Sequence, residues 1–219
     1  MAAALIAAAP ASAAPQKAAD WSRTVVASPD GGFRMGNPKA AVKLVEYGSL
    51  TCPSCRNFAE TASAPLMAKV KSGKVSFEFR NFVLNGIDVA ASLVARCGGA
   101  ASFFPVLDKL YATQPDWLGR ISGLSAAEKD RLTALPSSQR LVAIARAAGF
   151  QKLAAEHGLP VAEADKCLAD QAGFERLGKL HEGGTALGVH GTPTFLINGA
   201  TVEAHDWPSL EPLIKRAGG

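Results

Sequence analysis

With 219 residues and 48% hydrophobic content, the chain is long enough to bury one sizeable core, or a core with an inserted subdomain. Its net charge of +4 comes from scattered Lys and Arg residues without a basic stripe interleaved with aromatics, which disfavours a nucleic-acid partner. Beyond the N-terminal stretch, no apolar run is long enough to span a membrane. The composition therefore predicts a globular protein that is not membrane-spanning.

The N-terminal stretch is mostly alanine and carries no charge, and Ala11-Ser12-Ala13 has the small-x-small form of a signal-peptidase site. We predict a secretory signal peptide over residues 1–13. Because a positively charged n-region is missing, we expect the true start of the signal to lie further upstream. A disordered alanine-rich tail is the alternative. Export would allow disulfides to persist.

Residues 14–35 are predicted to form an N-terminal extension. Ser28-Pro29-Asp30-Gly31 is a turn signature between two short apolar stretches, so it predicts a small edge hairpin.

An apolar run over residues 42–47 predicts the first core strand. The period of two along a strand places Glu46 on the face that carries apolar side chains, six residues before Cys52. A carboxylate in that position indicates a proton-handling role beside the thiol. A glutamate at the sheet edge that reaches water is the alternative.

The Cys52-Pro53-Ser54-Cys55 motif follows, where the strand gives way to a helical pattern. Pro53 suits the first position of a helix, which leaves Cys52 at the N-cap. Unpaired backbone N–H groups and the positive end of the helix dipole favour a thiolate there. We therefore expect the chemistry at Cys52, and Cys55 lies one turn further in, where it can close a disulfide with Cys52.

After this helix, residues 74–80 alternate between polar and apolar, which predicts a half-buried strand. The pattern from residue 87 to residue 184 is helical, with a capping box at Ser125–Glu128. Residues 116–119 are interpreted as a loop with an exposed aromatic, Trp117. The sheet resumes at residue 194 and turns at Asn198-Gly199, a strong hairpin signal.

Cys97 and Cys167 lie outside the motif. In an oxidising compartment a disulfide between them is favoured, and two free buried thiols are the alternative. The closed loop of about 70 residues would stabilise the fold by on the order of 4 kcal/mol in the chain-entropy model.

Over residues 36–217 the chain resembles the DsbA-like thiol:disulfide oxidoreductases of the thioredoxin superfamily. The resemblance is carried by the strand with Glu46, the Cys-x-x-Cys motif, the following helix with its internal Pro65, the helical insertion, and Gly191-Thr192-Pro193-Thr194-Phe195 before the hairpin. Together these features are specific, whereas an isolated Cys-x-x-Cys would equally suit a zinc site.

The resemblance implies an α/β thioredoxin fold, which is a mixed central sheet flanked by helices with a large inserted α-helical subdomain. The thioredoxin-fold domain is expected over residues 36–86 and 185–219, and the insertion over residues 87–184.

The resemblance also implies roles for individual residues. The family's nucleophile falls on Cys52 and its buried acid on Glu46. The proline that matches Pro193 is cis in the family and lies against the disulfide, and the backbone at Thr192 pairs with bound peptide. Cysteines that match Cys97 and Cys167 occur often in this subfamily, which supports a structural disulfide.

The function implied is that of a periplasmic enzyme of a Gram-negative-type bacterium that introduces disulfides into reduced exported proteins. A membrane quinone-linked, DsbB-like partner would reoxidise it, and no cofactor is expected besides the Cys52–Cys55 disulfide. Strongly oxidising members of the family usually have His where this chain has Ser54. Ser54 brings no positive charge, so we expect a less stabilised thiolate and a weaker oxidant.

Two alternatives stay open. A disulfide isomerase or reductase uses the same chemistry, and Thr before the proline also occurs in isomerases, although those usually dimerise through an added N-terminal module. A periplasmic metal-binding protein would use Cys52, Cys55 and His190. These are too few ligands for a closed tetrahedral site, which favours a simple loop position for His190, with no metal bound.

Overall fold

A computed structural model describes residues 19–219, so the predicted signal over residues 1–13 lies outside the described part of the chain. After a short 3-10 helix (Trp21–Arg23), the strands are β1 (Val25–Ala27), β2 (Phe33–Gly36), β3 (Val42–Gly48), β4 (Val75–Asn81), β5 (Thr194–Ile197) and β6 (Ala200–Val202). The helices are α1 (Pro53–Lys71), α2 (Gly86–Cys97), α3 (Ala100–Ala112), α4 (Gln114–Ser122), α5 (Ala126–Ala134), α6 (Ser137–Ala148), α7 (Phe150–Glu156), α8 (Val161–Ala169), α9 (Gln171–Ala186) and α10 (Trp207–Arg216).

The strands form one mixed sheet in the order β1-β2-β4-β3-β5-β6. β3 and β4 are parallel, and the other neighbouring strands are antiparallel. Helices α2 to α9 follow one another between β4 and β5, so the predicted thioredoxin fold with a helical insertion is confirmed. The predicted N-terminal hairpin is present as β1 and β2, and it extends the central sheet because β2 pairs with β4.

Strand β4 is buried along its whole length, so the prediction of a half-buried strand was wrong. Helices α1 and α9 both contact β4, and the charged residues of the strand are paired inside the protein. The Arg80 guanidinium donates to Glu78 at 2.6 Å, to Asp30 at 2.6 Å and to the hydroxyl of Tyr47 at 3.0 Å. A buried charge is tolerated when it is paired in this way, which explains how an alternating sequence forms an interior strand.

The interpretation of residues 116–119 as an exposed loop was also wrong. These residues lie in α4, and Trp117 is fully buried. Its indole N–H donates to the carbonyl of Leu110 at 2.8 Å, and its ring packs edge-on against Phe150 at 5.2 Å. The predicted capping box is confirmed, since Ser125 and Glu128 cap the start of α5 reciprocally.

The core is continuous between the sheet and the helical insertion. Phe103 of α3 stacks on Phe33 of β2 at 4.2 Å and packs against Phe79 of β4 at 6.0 Å. The insertion is therefore fixed to the sheet by buried aromatic contacts that exclude water. Among residues 19–219, no helix has the length and apolar content needed to cross a lipid bilayer.

Candidate active site

The Cys-x-x-Cys motif lies where β3 leads into α1. Cys52 is the N-cap of α1 with an extended backbone, and Pro53 occupies the first helical turn, as predicted. The Cys52 sulfur accepts a hydrogen bond from the backbone N–H of Cys55 at 3.5 Å. Both thiols are free and both residues are buried, whereas Pro53 and Ser54 are exposed.

The two thiols differ in acidity. Hydrogen bonding from the Cys55 thiol, with contributions from Thr192 and from the backbone N–H groups of Cys55 and Ser54, outweighs burial and lowers the pKa of Cys52 to about 5. Burial and the adjacent Cys52 raise the pKa of Cys55 well above its ordinary value. The site therefore pairs one ionised sulfur with one protonated sulfur at neutral pH.

The loop before β5 completes the site. The Thr192–Pro193 peptide bond is cis, as the resemblance implies. The Cys52 thiol donates to the carbonyl oxygen of Thr192 at 3.2 Å. The Thr192 hydroxyl oxygen is buried and has no hydrogen-bond partner within the described part of the chain, so it is available to donate to the thiolate once Cys52 loses its proton. The fold thus brings Cys52, Cys55, Thr192 and Pro193 together.

Glu46 lies on the central strand β3 and is 3% exposed, which rules out the alternative of a sheet-edge glutamate in contact with water. In the strand register it is opposite Phe79 on one side and Phe195 on the other. Its Oε1 atom has no hydrogen-bond partner among the described residues. Burial, with a smaller contribution from the nearby Cys52 charge, raises the pKa of Glu46 to about 8, so the group is largely a carboxylic acid at neutral pH.

Gly48 is a residue of the site that the sequence pattern did not single out. A Cβ atom at this position would lie 2.5 Å from the ring of Phe79 and 3.0 Å from Oε1 of Glu46. A larger residue would force the Phe79 ring or the Glu46 side chain to move, so glycine permits their present packing at the end of β3.

Three buried residues of the helical insertion also reach the site, and sequence reasoning missed them. Asp88 of α2 accepts hydrogen bonds from the hydroxyl of Ser49 at 2.5 Å and from the backbone N–H of Leu50 at 2.9 Å. Tyr111 of α3 donates to the Ser49 carbonyl at 3.1 Å, and Gln114 of α4 donates to the Leu50 carbonyl at 2.7 Å. Their partners on the loop lie 38 to 64 positions away in the chain, so the sequence carried no local signal for these contacts.

The other predicted residues lie away from this centre. Cys97 of α2 and Cys167 of α8 form a disulfide with their Cα atoms 5.7 Å apart, which ties two helices of the insertion together. His190 is exposed on the loop that precedes the cis proline. Among residues 19–219, no group of three or more His, Cys, Asp or Glu side chains is arranged to hold a metal ion.

Comparison with known proteins agrees with this geometry. Residues 28–216 match a family model described as thioredoxin. A relative from Rickettsia prowazekii that is named as a protein-disulfide oxidoreductase is 25% identical over 191 residues, covering 86% of this chain and 62% of the relative. A relative of the same kind from Rickettsia bellii is 27% identical, with 84% and 63% covered. The chain thus spans less than two thirds of the length of these curated relatives.

Solved structures show the same fold. A protein-disulfide isomerase from Novosphingobium aromaticivorans is 31% identical and superposes with a TM-score of 0.78, covering 85% of this chain and 97% of that one. The α-DsbA1 protein of Wolbachia pipientis is 19% identical, with a TM-score of 0.69 and coverages of 89% and 94%. The chain therefore belongs to the thioredoxin superfamily, and its fold, with the helical insertion, is similar to that of the DsbA-like proteins.

Proposed function

We propose that this protein is a thiol:disulfide oxidoreductase that introduces disulfides into exported proteins through Cys52 and Cys55. The observation that carries the proposal is the asymmetry of the two thiols. The pKa of Cys52 is lowered to about 5 at a helix N-terminus, whereas Cys55 is fully buried and its pKa is raised. A sulfur with a low pKa is a good leaving group, which is what release of an oxidised substrate from a mixed disulfide requires.

The reaction begins with the disulfide form of the enzyme. A substrate thiolate attacks the Cys52 sulfur, the Cys52–Cys55 bond breaks, and Cys55 leaves with the electron pair. A second thiolate of the substrate then attacks the substrate sulfur of the mixed disulfide, and Cys52 leaves as a thiolate. The substrate loses two electrons and gains a disulfide, and the enzyme is left as a dithiol.

Glu46 is proposed to supply the proton that the leaving Cys55 sulfur takes up. Cys55 is buried and its pKa is high, so a free thiolate there would be strongly disfavoured. Glu46 lies near enough to Cys55 that its ionised form would raise the pKa of that thiol, and at neutral pH Glu46 is largely protonated and holds the proton to be transferred. A buried acid with a pKa near the operating pH suits general acid–base chemistry.

The substrates are proposed to be reduced exported proteins, whose backbone would pair with the chain at Thr192 beside Pro193. The location is proposed to be the periplasm, which would allow the Cys97–Cys167 disulfide to persist. A membrane quinone-linked, DsbB-like protein would reoxidise the dithiol. No cofactor is proposed beyond the Cys52–Cys55 disulfide.

Alkylation trapping of the protein in its cells tests the direction of electron flow. We expect Cys52 and Cys55 to be predominantly oxidised in vivo. We also expect the Cys55→Ser variant to accumulate mixed disulfides with exported proteins and the Cys52→Ser variant to accumulate none. A predominantly reduced pair would instead support an isomerase or reductase.

Disulfide isomerase is the second candidate function. It is favoured by one specific observation, the 31% identity and the TM-score of 0.78 to a protein that is named a protein-disulfide isomerase. The two functions separate in an assay with scrambled ribonuclease. An isomerase restores activity to the scrambled protein, whereas an oxidase acts on the fully reduced one.

A further inference from the structure

The loop that leads into Cys52 is held from the helical insertion by one buried carboxamide. Gln114, the first residue of α4, is 2% exposed, and its Nε2 group donates to the carbonyl of Leu50 at 2.7 Å and to the carbonyl of Cys52 at 3.0 Å. We propose that Gln114 is a positioning residue that holds Cys52 in its reactive place. This inference rests on the proposed role of Cys52 as the reacting thiol.

The two carbonyl groups that Gln114 joins lie on either side of Thr51. Within residues 19–219, the Leu50 carbonyl has no other hydrogen-bond donor, so its pairing depends on Gln114. The Cys52 carbonyl also accepts the first hydrogen bond of α1, from the N–H of Arg56 at 3.2 Å. Gln114 therefore fixes the end of the loop and the start of α1 relative to each other.

Gln114 is itself held rigidly, because it lies at the corner between α3 and α4. Tyr111, three residues earlier, is buried and donates to the Ser49 carbonyl of the same loop at 3.1 Å. Trp117, three residues later, is fully buried and donates to the Leu110 carbonyl at 2.8 Å. These buried contacts on either side fix the position of Gln114, so its side chain can constrain the loop.

Asp88 of α2 also binds the loop, which is therefore constrained from three helices of the insertion, α2, α3 and α4. The Asp88 carboxylate accepts from the Leu50 N–H at 2.9 Å, while Gln114 donates to the carbonyl of the same residue at 2.7 Å. A buried amide group that donates two hydrogen bonds is stabilising, but its removal leaves the buried Leu50 carbonyl unpaired and the Cys52 carbonyl with the Arg56 N–H as its one remaining donor. The loop would then have to shift in order to find new partners.

Such a shift would act on the Cys52 sulfur. It accepts a hydrogen bond from the N–H of Cys55 at 3.5 Å, and the Thr192 hydroxyl and the Ser54 N–H also favour its thiolate, so these contacts depend on the present position of the loop. Hydrogen bonds weaken steeply when their length or angle departs from the favourable range. Displacement of Cys52 should therefore weaken the interactions that stabilise its thiolate and make the reduced enzyme less stable relative to the disulfide form.

The test compares Gln114→Leu with wild type and with a control, Gln151→Leu. Gln151 is also a buried glutamine of the insertion, 5% exposed, and its Nε2 group donates to the Val142 carbonyl at 3.2 Å and to Asp165 at 2.9 Å. The control therefore loses a comparable buried carboxamide away from Cys52. The two measurements are the pH titration of thiolate absorbance in the reduced protein and the equilibrium of the active-site disulfide with a glutathione buffer.

For Gln114→Leu we expect the thiolate titration midpoint to rise by about one pH unit and the glutathione equilibrium to shift about tenfold toward the disulfide form. Gln151→Leu should lower stability without moving either quantity. Gln114→Glu, which is nearly the same size, is a second variant if Gln114→Leu fails to fold. Its carboxylate would face the two carbonyl oxygens, so we expect an upward shift here as well.

An unchanged midpoint and an unchanged equilibrium in a folded Gln114 variant would overturn the positioning role and leave Gln114 as a structural residue. An equal shift in Gln151→Leu would overturn it too, because the effect would then reflect general loosening. Failure of the proposed function can be distinguished from failure of the positioning role, because the wild-type protein itself would then show no thiolate of low pKa and no exchange with glutathione.

Discussion

The Cys52 sulfur lies 3.2 Å from the carbonyl oxygen of Thr192, although 140 positions separate the two residues in the chain. The contact joins the N-terminus of α1 to the loop before β5, and β5 pairs with β3, the strand that leads into the motif. The thiol and the backbone expected to receive a substrate peptide thus form one site.

Cys52 should be the thiol that reacts selectively at acidic and neutral pH. Its pKa is lowered to about 5, chiefly by hydrogen bonding from Cys55, whereas the pKa of Cys55 is raised by burial. We expect the rate of iodoacetamide alkylation of the reduced protein to rise with a midpoint near pH 5, with the label on Cys52. In Cys52→Ser the rapid reaction should disappear. A midpoint near 9, the ordinary value for this thiol, would contradict the prediction.

Ser54→His should make the protein more oxidising. Ser54 is exposed and follows Cys52 by two positions, so an imidazolium there would add positive charge near the thiolate. A more stable thiolate stabilises the reduced form. We expect the equilibrium with glutathione to shift toward the reduced enzyme by about tenfold or more. Ser54→Ala is the control, and no shift or a shift in the opposite direction in Ser54→His would contradict the prediction.

Glu46→Gln should stabilise the oxidised protein above pH 4.5, the ordinary pKa of this group. The folded state keeps the Glu46 proton up to about pH 8, whereas the unfolded chain loses it near pH 4.5, so wild-type stability falls as the pH rises between these values. The slope from this single group reaches at most about 1.4 kcal/mol per pH unit. The glutamine variant lacks this contribution. Denaturant unfolding of both proteins over a series of pH values measures the difference.

The disulfide form is chosen for the Glu46 measurement because Cys52 does not titrate in it. Loss of the Cys52 charge brings the upper end of the pH window somewhat below 8, since that charge is the smaller of the two causes of the raised pKa. Below pH 4.5 the two proteins should differ little in slope, which serves as an internal control. Parallel stability curves across the whole range would show that Glu46 ionises normally.

Replacement of Cys97 and Cys167 by serine should lower the free energy of unfolding by about 4 kcal/mol, because the disulfide closes a loop with a sequence separation of 70. The reason is the greater conformational freedom that the unfolded chain gains. Denaturant unfolding gives the value, and the glutathione equilibrium of Cys52 and Cys55 should change little. The Cys52→Ser/Cys55→Ser variant, which lacks the active-site disulfide and the much shorter loop that it closes, should lose less stability. An equal loss in both variants would argue against the loop-length explanation.

Much of the fold followed from local patterns. The Asn198-Gly199 turn, the Ser125–Glu128 capping box and the position of Cys52 before Pro53 are decided by interactions within a few residues, so the sequence displays them directly. The assignment of Trp117 to an exposed loop failed because its burial depends on Phe150, which lies on a different helix. Local propensity carries no information about such a partner.

The sequence by itself determined which residues are proposed to carry the chemistry, because two thiols one helical turn apart, a glutamate in an apolar strand and a proline before a hairpin are each local features. Only the tertiary structure decided how they work together. The contact of Cys52 with Thr192, the burial of Glu46 between Phe79 and Phe195, and the hold of Gln114 on the loop all join residues distant in sequence. The energies of these contacts depend on short distances between the groups and on the exclusion of water. Both conditions are met only when the sheet and the helical insertion have packed together.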